Sequence, residues 1–450
     1  MFGCNTYFYC KIKRLRQLNC RKVLKNSKEY VILLHSITNN HLQAKAIPRL
    51  GDEYCKKGSD RMKYYVTDYG VKANCNELQT EAFQKVFDMC KENGGTVVIP
   101  KGKYHVAALR MWSNTTLYLE TGAELYGSDN CDDYEVFPIP EGMEMRSDME
   151  MISQYYGTPW ETYRRAIITA YGEKNISIIG EPNSAIDGRH CYDPDGEEGY
   201  RGPHIIFLSC CENVLFEGYT ARFAGNFLHE ANNCRNMTMR RVTCLGGSDG
   251  IHLHCSVNTL IEDCLFKTGD DCIAGINVKD LLVRRCIFNT SCNLFRIGGL
   301  NIQVEDCYSY GEGYYPHRKT VVKGKNDELP RQEGRHNTIC LVDYFANKNY
   351  PEKPSDIHFK NCVFENLHTP LYYLADSSFI QNGIYLGELT LDNVRFTDLK
   401  DPSQPRATKD NPLKITMKNV TWHFQEPRPQ DQPLFKMEEN AYVTVVEENE

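Results

Sequence analysis

Thr268-Gly269-Asp270-Asp271-Cys272-Ile273-Ala274 places two adjacent carboxylates after a glycine, inside a run of segments that resemble one another. Within most of these segments, apolar residues alternate with polar ones, which is typical of β-strands. A repeat of about 22 residues with this alternation predicts stacked short strands, that is, a solenoid of the parallel β-helix type. The segments are spaced 23, 22, 22 and 21 residues apart and begin at Asn213, Asn236, Asn258, Asp280 and Asn301.

Two side-chain ladders support this register. Cysteines occupy the sixth place after the start of four coils, and small buried thiols stacked in the core are favoured over disulfides. Charged pairs occupy the fourth and fifth places, and their sign alternates from coil to coil, so that opposite charges face each other. The cysteines are Cys264, Cys286, Cys307 and Cys362; the charged pairs are Arg240-Arg241, Glu262-Asp263, Arg284-Arg285 and Glu305-Asp306.

The chain has 450 residues, so its length suggests either several domains or a repeat architecture. We predict one β-helix domain over residues 62–425, followed by a polar tail over residues 426–450. An apolar stripe predicts a helix from Glu77 to Lys91, and this helix is expected to cap the first coil. Residues 129–163 and 313–350 interrupt the repeat and are predicted to be long loops, which often carry binding residues.

The first 61 residues differ from the rest, with a basic stretch followed by a short apolar run. Ala44-Lys45-Ala46 resembles a signal-peptide cleavage pattern, so the chain is secreted or periplasmic if it is cleaved there. If residues 1–61 are instead a disordered leader, a cytoplasmic location is expected. A net charge of −7 argues against nucleic acid as a partner. The sequence contains no run of 18 apolar residues, so no membrane span is predicted. The protein is expected to be a monomer.

The register predicts that Asp249 and Asp271 lie on adjacent coils, with Asp270 beside them. Three carboxylates this close cannot all ionise easily, so at least one pKa should rise. A general acid beside a general base is what glycoside hydrolysis requires, and inversion usually needs a carboxyl separation of about 6.5–9.5 Å. The alternative for each residue is a structural role, because Asp in a turn often caps backbone N–H groups.

Further polar residues follow the strands at similar places and are candidate substrate-binding residues. They are Asn226, Asn293, His229, His252, Arg296 and His317, together with Arg318 and Lys319 in the second loop. His252-Leu253-His254, near Cys255 and Cys272, also has the spacing of two metal ligands on a strand. No CxxC or HExxH pattern accompanies it, so neither a metal nor another cofactor is predicted.

The chain resembles family 28 of the glycoside hydrolases, the polygalacturonase group of right-handed parallel β-helices within the pectin lyase-like superfamily. The family's Asn-Thr-Asp motif corresponds to Gly247-Ser248-Asp249, and its Asp-Asp pair corresponds to Asp270-Asp271. The resemblance implies that Asp270 is the general acid and that Asp249 and Asp271 activate water. The family's His-Gly motif falls at Cys292-Asn293, and its Arg-Ile-Lys motif has no counterpart on the expected coil. Arg296 and the loop segment around His317 are candidate replacements.

Three functions therefore follow from the sequence. The favoured one is an inverting glycosidase that cleaves a galacturonate-containing, pectic or related glycan. A second is a non-catalytic glycan-binding or structural β-helix protein. A third, less favoured, is a polysaccharide lyase, which would need Ca²⁺ and a basic residue near the sugar.

Overall fold

The computed structural model describes residues 62–143, 160–193, 201–317, 337–346, 355–375 and 385–448. Within these ranges the chain forms the predicted right-handed parallel β-helix, with 29 strands joined in one continuous sheet. The coils lie in a single compact unit, Arg61–Glu450. The predicted leader, residues 1–61, lies outside the described residues.

Each coil passes through three parallel stacks of strands. The first stack contains β1 (Lys63–Tyr65), β2 (Gly95–Ile99), β5 (Thr115–Leu119), β8 (Lys174–Gly180), β11 (Glu212–Glu217), β14 (Arg235–Arg240), β17 (Val257–Glu262), β27 (Leu413–Lys418) and β29 (Val443–Glu448). The second contains β3 (Gly102–His105), β6 (Ala123–Tyr126), β9 (Ala185–Asp187), β12 (Thr220–Arg222), β15 (Thr243–Gly246), β18 (Leu265–Thr268), β20 (Ile287–Thr290), β22 (Tyr308–Ser309) and β28 (Thr421–Phe424).

The third stack carries the candidate site. It contains β4 (Leu109–Arg110), β7 (Ala166–Tyr171), β10 (His204–Ser209), β13 (His229–Asn232), β16 (Ile251–His254), β23 (Cys340–Tyr344) and β25 (Thr369–Tyr372). Four longer strands run through two stacks: β19 (Ile273–Arg284), β21 (Asn293–Glu305), β24 (Ser355–Glu365) and β26 (Leu386–Leu399). The first two continue from the third stack into the next coil's first stack.

The interior is built from apolar ladders, as the alternation predicts. Phe266 and Phe288 occupy paired positions and stack with ring centroids 5.4 Å apart. The four laddered cysteines are buried and remain free thiols, as predicted. On the outer face the charge ladder is also present, since Arg284 lies 2.9 Å from Glu262 on the coil below. The register inferred from the sequence is therefore correct over these coils.

The asparagines that begin the coils have a structural role of their own. Asn175, Asn213, Asn236 and Asn258 all have φ between 55° and 58°. Asparagine adopts this left-handed conformation more readily than most residues do. Each side-chain amide donates to the carbonyl of the asparagine on the coil below, at 2.8–3.1 Å. The repeat thus marks a turn that requires this backbone conformation and that the amide ladder stabilises.

Three boundaries differ from the prediction. The capping helix α1 (Thr80–Asp88) is shorter than expected, because Leu78 pairs with His105 instead of joining the helix. Strand β23 lies within the predicted loop 313–350 and pairs with β21, so part of that segment belongs to the solenoid. Strand β29 pairs with β27, so the solenoid extends into the predicted tail at 426–450.

A second helix, α2 (Trp160–Tyr163), is only one turn long and lies in the other predicted loop. Among the described residues, no helix is long and apolar enough to cross a membrane.

Candidate active site

The acidic residues lie in the turns that connect the second stack to the third. Asp249 follows β15, and Asp270 and Asp271 follow β18 on the coil above. The backbone N–H of Asp271 donates to Asp249 Oδ1 at 3.2 Å, and the N–H of Asn293 donates to Asp271 Oδ1 at 3.2 Å. Asp249, Asp271 and Asn293 are therefore successive rungs of one ladder, as the register predicts.

The three carboxylates form a compact and largely buried group. Asp249, Asp270 and Asp271 are 3%, 7% and 2% exposed, and one oxygen from each lies within 4.8 Å of the others. This spacing is shorter than the separation of about 6.5–9.5 Å that inverting glycosidases usually show. The separation alone thus does not support the expected inversion.

Arg201, which the sequence pattern does not mark, pairs with one member of this group. Its Nη1 lies 2.7 Å from Asp270 Oδ2, and the two side chains are only 7% and 10% exposed. Arginine stays charged in proteins, so this contact favours the ionised form of the carboxylate. Arg201 precedes β10 and lies 69 residues before Asp270 in the sequence, outside the repeat that guided the prediction.

The ion pair between Arg201 and Asp270 gives the three acids different pKa values. Burial alone would raise the pKa of Asp270, but Arg201 and His317 outweigh it and hold that pKa well below its usual range. Burial and the charge of Asp270 raise the pKa of Asp271 to about 7. Burial and the two neighbouring carboxylates raise the pKa of Asp249 well above its usual range. Asp270 thus favours its ionised form and Asp249 its protonated form, whereas Asp271 is close to its midpoint near neutral pH.

His317 reaches the acids from the second loop and not from a strand. Its Nε2 lies 3.5 Å from Asp270 Oδ1. The loop packs closely against the coil at Gly269, where a Cβ atom would lie 2.2 Å from the carbonyl oxygen of Pro316. Glycine at position 269 therefore leaves room for the second loop, which places the His317 imidazole next to the acids. Arg318 and Lys319 lie outside the described residues.

Three other predicted residues border the acids. Asn293 Nδ2 donates to Asp271 Oδ1 at 2.8 Å, and His252 Nδ1 lies 3.6 Å from Asp249 Oδ2. Arg296 is on the outer face of β21 and lies 3.5 Å from Asp343, with 28% of its side chain exposed. The charge of Arg296 acts on both Asp249 and Asp271, so Arg296 is a partly exposed cation at the edge of the site.

The predictions for Asn226 and His229 are wrong. His229 is buried in the core, where its ring nitrogens lie 2.9 Å from the Tyr219 hydroxyl and 2.9 Å from the Gly250 carbonyl oxygen. Asn226 is also fully buried. Phe227, and not Asn226, occupies the ladder position directly below Asp249. The reason is the turn between β12 and β13, which is one residue longer than the turn on the next coil. Glu230 consequently takes the place beneath His252.

Three sets of described residues bring possible metal-binding atoms within 4.8 Å of one another. One is the acidic group itself, where Arg201 already neutralises Asp270. A second combines Asp270, Cys292 and His317, and the third combines Glu230, His252 and His254.

Residues 132–292 match glycosyl hydrolases family 28, a segment that includes all three acids. A probable polygalacturonase of Vitis vinifera is 25% identical over 49% of this chain and 48% of its own length. An exo-poly-alpha-D-galacturonosidase of Dickeya chrysanthemi is 26% identical over 46% of this chain and 41% of its own length. The chain thus spans about half the length of these curated relatives or less.

A solved structure, the hyperthermoactive exopolygalacturonase of Thermotoga maritima, superposes with a TM-score of 0.59. It is 14% identical, and the superposition covers 89% of this chain and 96% of the other, which shows that the two share the fold. The match to the family model adds to this, because it includes the turns that carry Asp249, Asp270 and Asp271. Over residues 132–292, the chain is thus similar to glycosyl hydrolases family 28, and its curated relatives include a probable polygalacturonase and an exo-poly-alpha-D-galacturonosidase.

Proposed function

We propose that the protein is a glycoside hydrolase that cleaves a galacturonate-containing, pectic glycan with inversion of the anomeric configuration. The observation that carries the proposal is the buried group of three carboxylates in which Arg201 keeps one member ionised. Glycoside hydrolysis requires an acid and a base at the same bond, and a difference in pKa between neighbours supplies both. The family match over these residues supports the same reaction.

The electrostatics favour roles that differ from those implied by the family resemblance. Asp271, with a pKa of about 7, is the carboxyl best suited to protonate the leaving oxygen near neutral pH. Asp270, held ionised, is the proposed base for the attacking water. We propose a single displacement, in which water attacks the anomeric carbon as Asp270 accepts a proton from that water and Asp271 protonates the leaving oxygen. This displacement inverts the anomeric centre even though the carboxylates are close together.

The substrate class rests on charge and on the relatives. Two relatives are named for activity on galacturonans, whose sugars carry carboxylates. Arg296, at the edge of the acids and partly exposed, is the proposed contact for such a carboxylate. Guanidinium groups suit this task because they remain charged and can donate two hydrogen bonds to one carboxylate.

Incubation with a panel of uronate-containing glycans is expected to release new reducing ends with saturated sugars. The panel should include polygalacturonate and decorated pectic oligosaccharides, and NMR should detect inversion in the first-formed products. Asp270→Asn serves as the inactive control. Unsaturated products would identify a lyase instead. Binding without turnover, or hydrolysis that Asp270→Asn leaves unchanged, would contradict the proposal.

The pH dependence of hydrolysis tests the proposed acid. Asp271 must be protonated to act, and its raised pKa keeps it protonated below a pH of about 7. The value of kcat/KM is therefore expected to fall about tenfold per pH unit above this pH. The groups that act on Asp271 are Asp270, Arg296, Asp343 and Asn293.

Asn293→Ala provides a matched variant for this measurement. The Asn293 amide donates to Asp271 and favours its ionised form, so the alanine variant should shift the alkaline limb to higher pH. An alkaline limb that does not move in this variant would argue that another group sets it.

A further inference from the structure

Glu230, His252 and His254 form a second polar cluster on the outer face of the third stack. Strands β13 and β16 are paired so that Glu230 lies directly beneath His252, and Asn232 lies beneath His254. Alternation along the strands turns Ala231 and Leu253 into the core, where both are buried. The shared register therefore brings one carboxylate and two imidazoles together on the other face.

The distances within the cluster are too long for ordinary hydrogen bonds. Glu230 Oε2 lies 3.6 Å from His252 Nδ1, and Glu230 Oε1 lies 3.4 Å from His254 Nε2. A hydrogen bond from nitrogen to oxygen usually spans about 2.7–3.2 Å. Two ligands bound tetrahedrally to one zinc ion at about 2.0–2.1 Å are separated by about 3.3 Å. The spacing therefore fits donors that share an ion.

Glu230 is in an environment that disfavours an isolated negative charge. It is 0% exposed, and the hydrogen bonds from the Asn232 and Tyr163 side chains only partly offset the cost of its burial. Burial raises the pKa of Glu230 well above its usual range and lowers that of His252 well below its own. A buried carboxylate needs a compensating cation, and a neutral imidazole does not supply one. The neutral imidazole is, however, the form that binds a metal.

The surrounding aromatic residues enclose the cluster. Phe227 packs edge-on against the His252 ring at a centroid distance of 4.6 Å. The nearby His204 is committed elsewhere, because its Nε2 lies 3.0 Å from the Tyr163 carbonyl oxygen and its Nδ1 accepts from the Phe227 N–H. His252 retains 14% of its side-chain exposure, which leaves one edge of the cluster open.

We propose that Glu230, His252 and His254 bind a divalent transition-metal ion of the zinc class. Two imidazoles and one carboxylate are a donor set that zinc accepts, and three protein ligands leave a fourth position for water or another ligand. Asp249 Oδ2 lies 3.6 Å from His252 Nδ1, so the ion would lie next to the acidic group. Its charge would favour ionisation of Asp249.

Metal titration of the full-length, metal-free protein tests this site without reference to activity. One equivalent of Zn²⁺ is expected to bind at this cluster, and competition with a chromophoric chelator measures its affinity. Co²⁺ is expected to give ligand-field absorption typical of nitrogen and oxygen donors. Glu230→Gln and His254→Ala should each weaken binding by at least about 10-fold. The control His358→Ala removes a surface imidazole that pairs with Asp356 and should leave the affinity unchanged.

The chain contains 20 cysteines, so thiolate binding must be distinguished from the proposed site. Strong sulfur-to-cobalt charge-transfer absorption would identify cysteine ligands and overturn the proposal. Equal affinities in wild type and Glu230→Gln would also overturn it. Glu230→Gln preserves the shape of the side chain, so this comparison and the wild-type cobalt spectrum decide the question even if His254→Ala fails to fold.

Discussion

Replacement of Asp271 by asparagine is expected to lower kcat for hydrolysis of the pectic substrate by about 100- to 10,000-fold. The amide has the same shape but cannot deliver a proton to the leaving oxygen. Steady-state kinetics with reducing-end detection measure the effect. Asp280→Asn is the matched control, because Asp280 belongs to the start of the next coil and accepts an exposed hydrogen bond from Asn301, away from the acids. Wild-type activity is expected for the control.

The leaving group of the substrate distinguishes the acid from the base. An aryl uronide with an acidic phenol needs little protonation as it departs, so Asp271→Asn should recover much of its activity on this substrate. Asp270→Asn should not recover, because its proposed base function is still missing. If Asp270→Asn is instead the variant that recovers, Asp270 is the acid, as the family resemblance implies.

Replacement of Arg201 by methionine is expected to lower the free energy of unfolding at pH 7 by about 3–5 kcal/mol, because it leaves a buried carboxylate without its partner. Chemical denaturation monitored by circular dichroism measures the change. Lys174→Met is the control: its ion pair with Glu212 is 65% and 38% exposed on the two sides and should contribute about 1 kcal/mol or less. The double variant Arg201→Met/Asp270→Asn should recover much of the loss.

The difference in the free energy of unfolding between wild type and Arg201→Met is expected to depend on pH. The contact with Arg201 depresses the pKa of Asp270 in the folded state, so its stabilisation is present above the unfolded pKa of about 3.9. That stabilisation disappears as the pH falls through the folded pKa. The difference between wild type and Arg201→Met should therefore be largest near neutral pH and decrease in acid. An equal difference at pH 7 and at low pH would contradict the assigned ion pair.

The repeat was sufficient to predict the ladder of Asp249, Asp271 and Asn293, because successive coils there have equal length. The spacing of 23 residues between Asn213 and Asn236 also showed that one coil is longer. It did not show where the extra residue lies. The pairings of β12 with β15 and of β13 with β16 place it in the turn between β12 and β13. For this reason the repeat alone indicates His229 instead of Glu230.

Contacts made outside the repeat could not be predicted in this way. Arg201 meets Asp270 across 69 residues, and no periodic position marks it. His317 was chosen by its place in a coil, but it reaches Asp270 because the loop packs against Gly269. Periodicity specifies which strand residues share a face, whereas the docking of irregular segments depends on local shape and charge.

The longer turn before β13 shows how a solenoid can accept an extra residue without losing a site. In a strand, a shift of the register by one residue exchanges the inward and outward side chains. The turn between β12 and β13 takes up the extra residue, so β13 keeps the register in which Glu230 lies beneath His252 and His229 faces the core. The same insertion within β13 would exchange these two side chains. In such folds, the turns are therefore the places where the chain length can change while the residues beside the acids keep their positions.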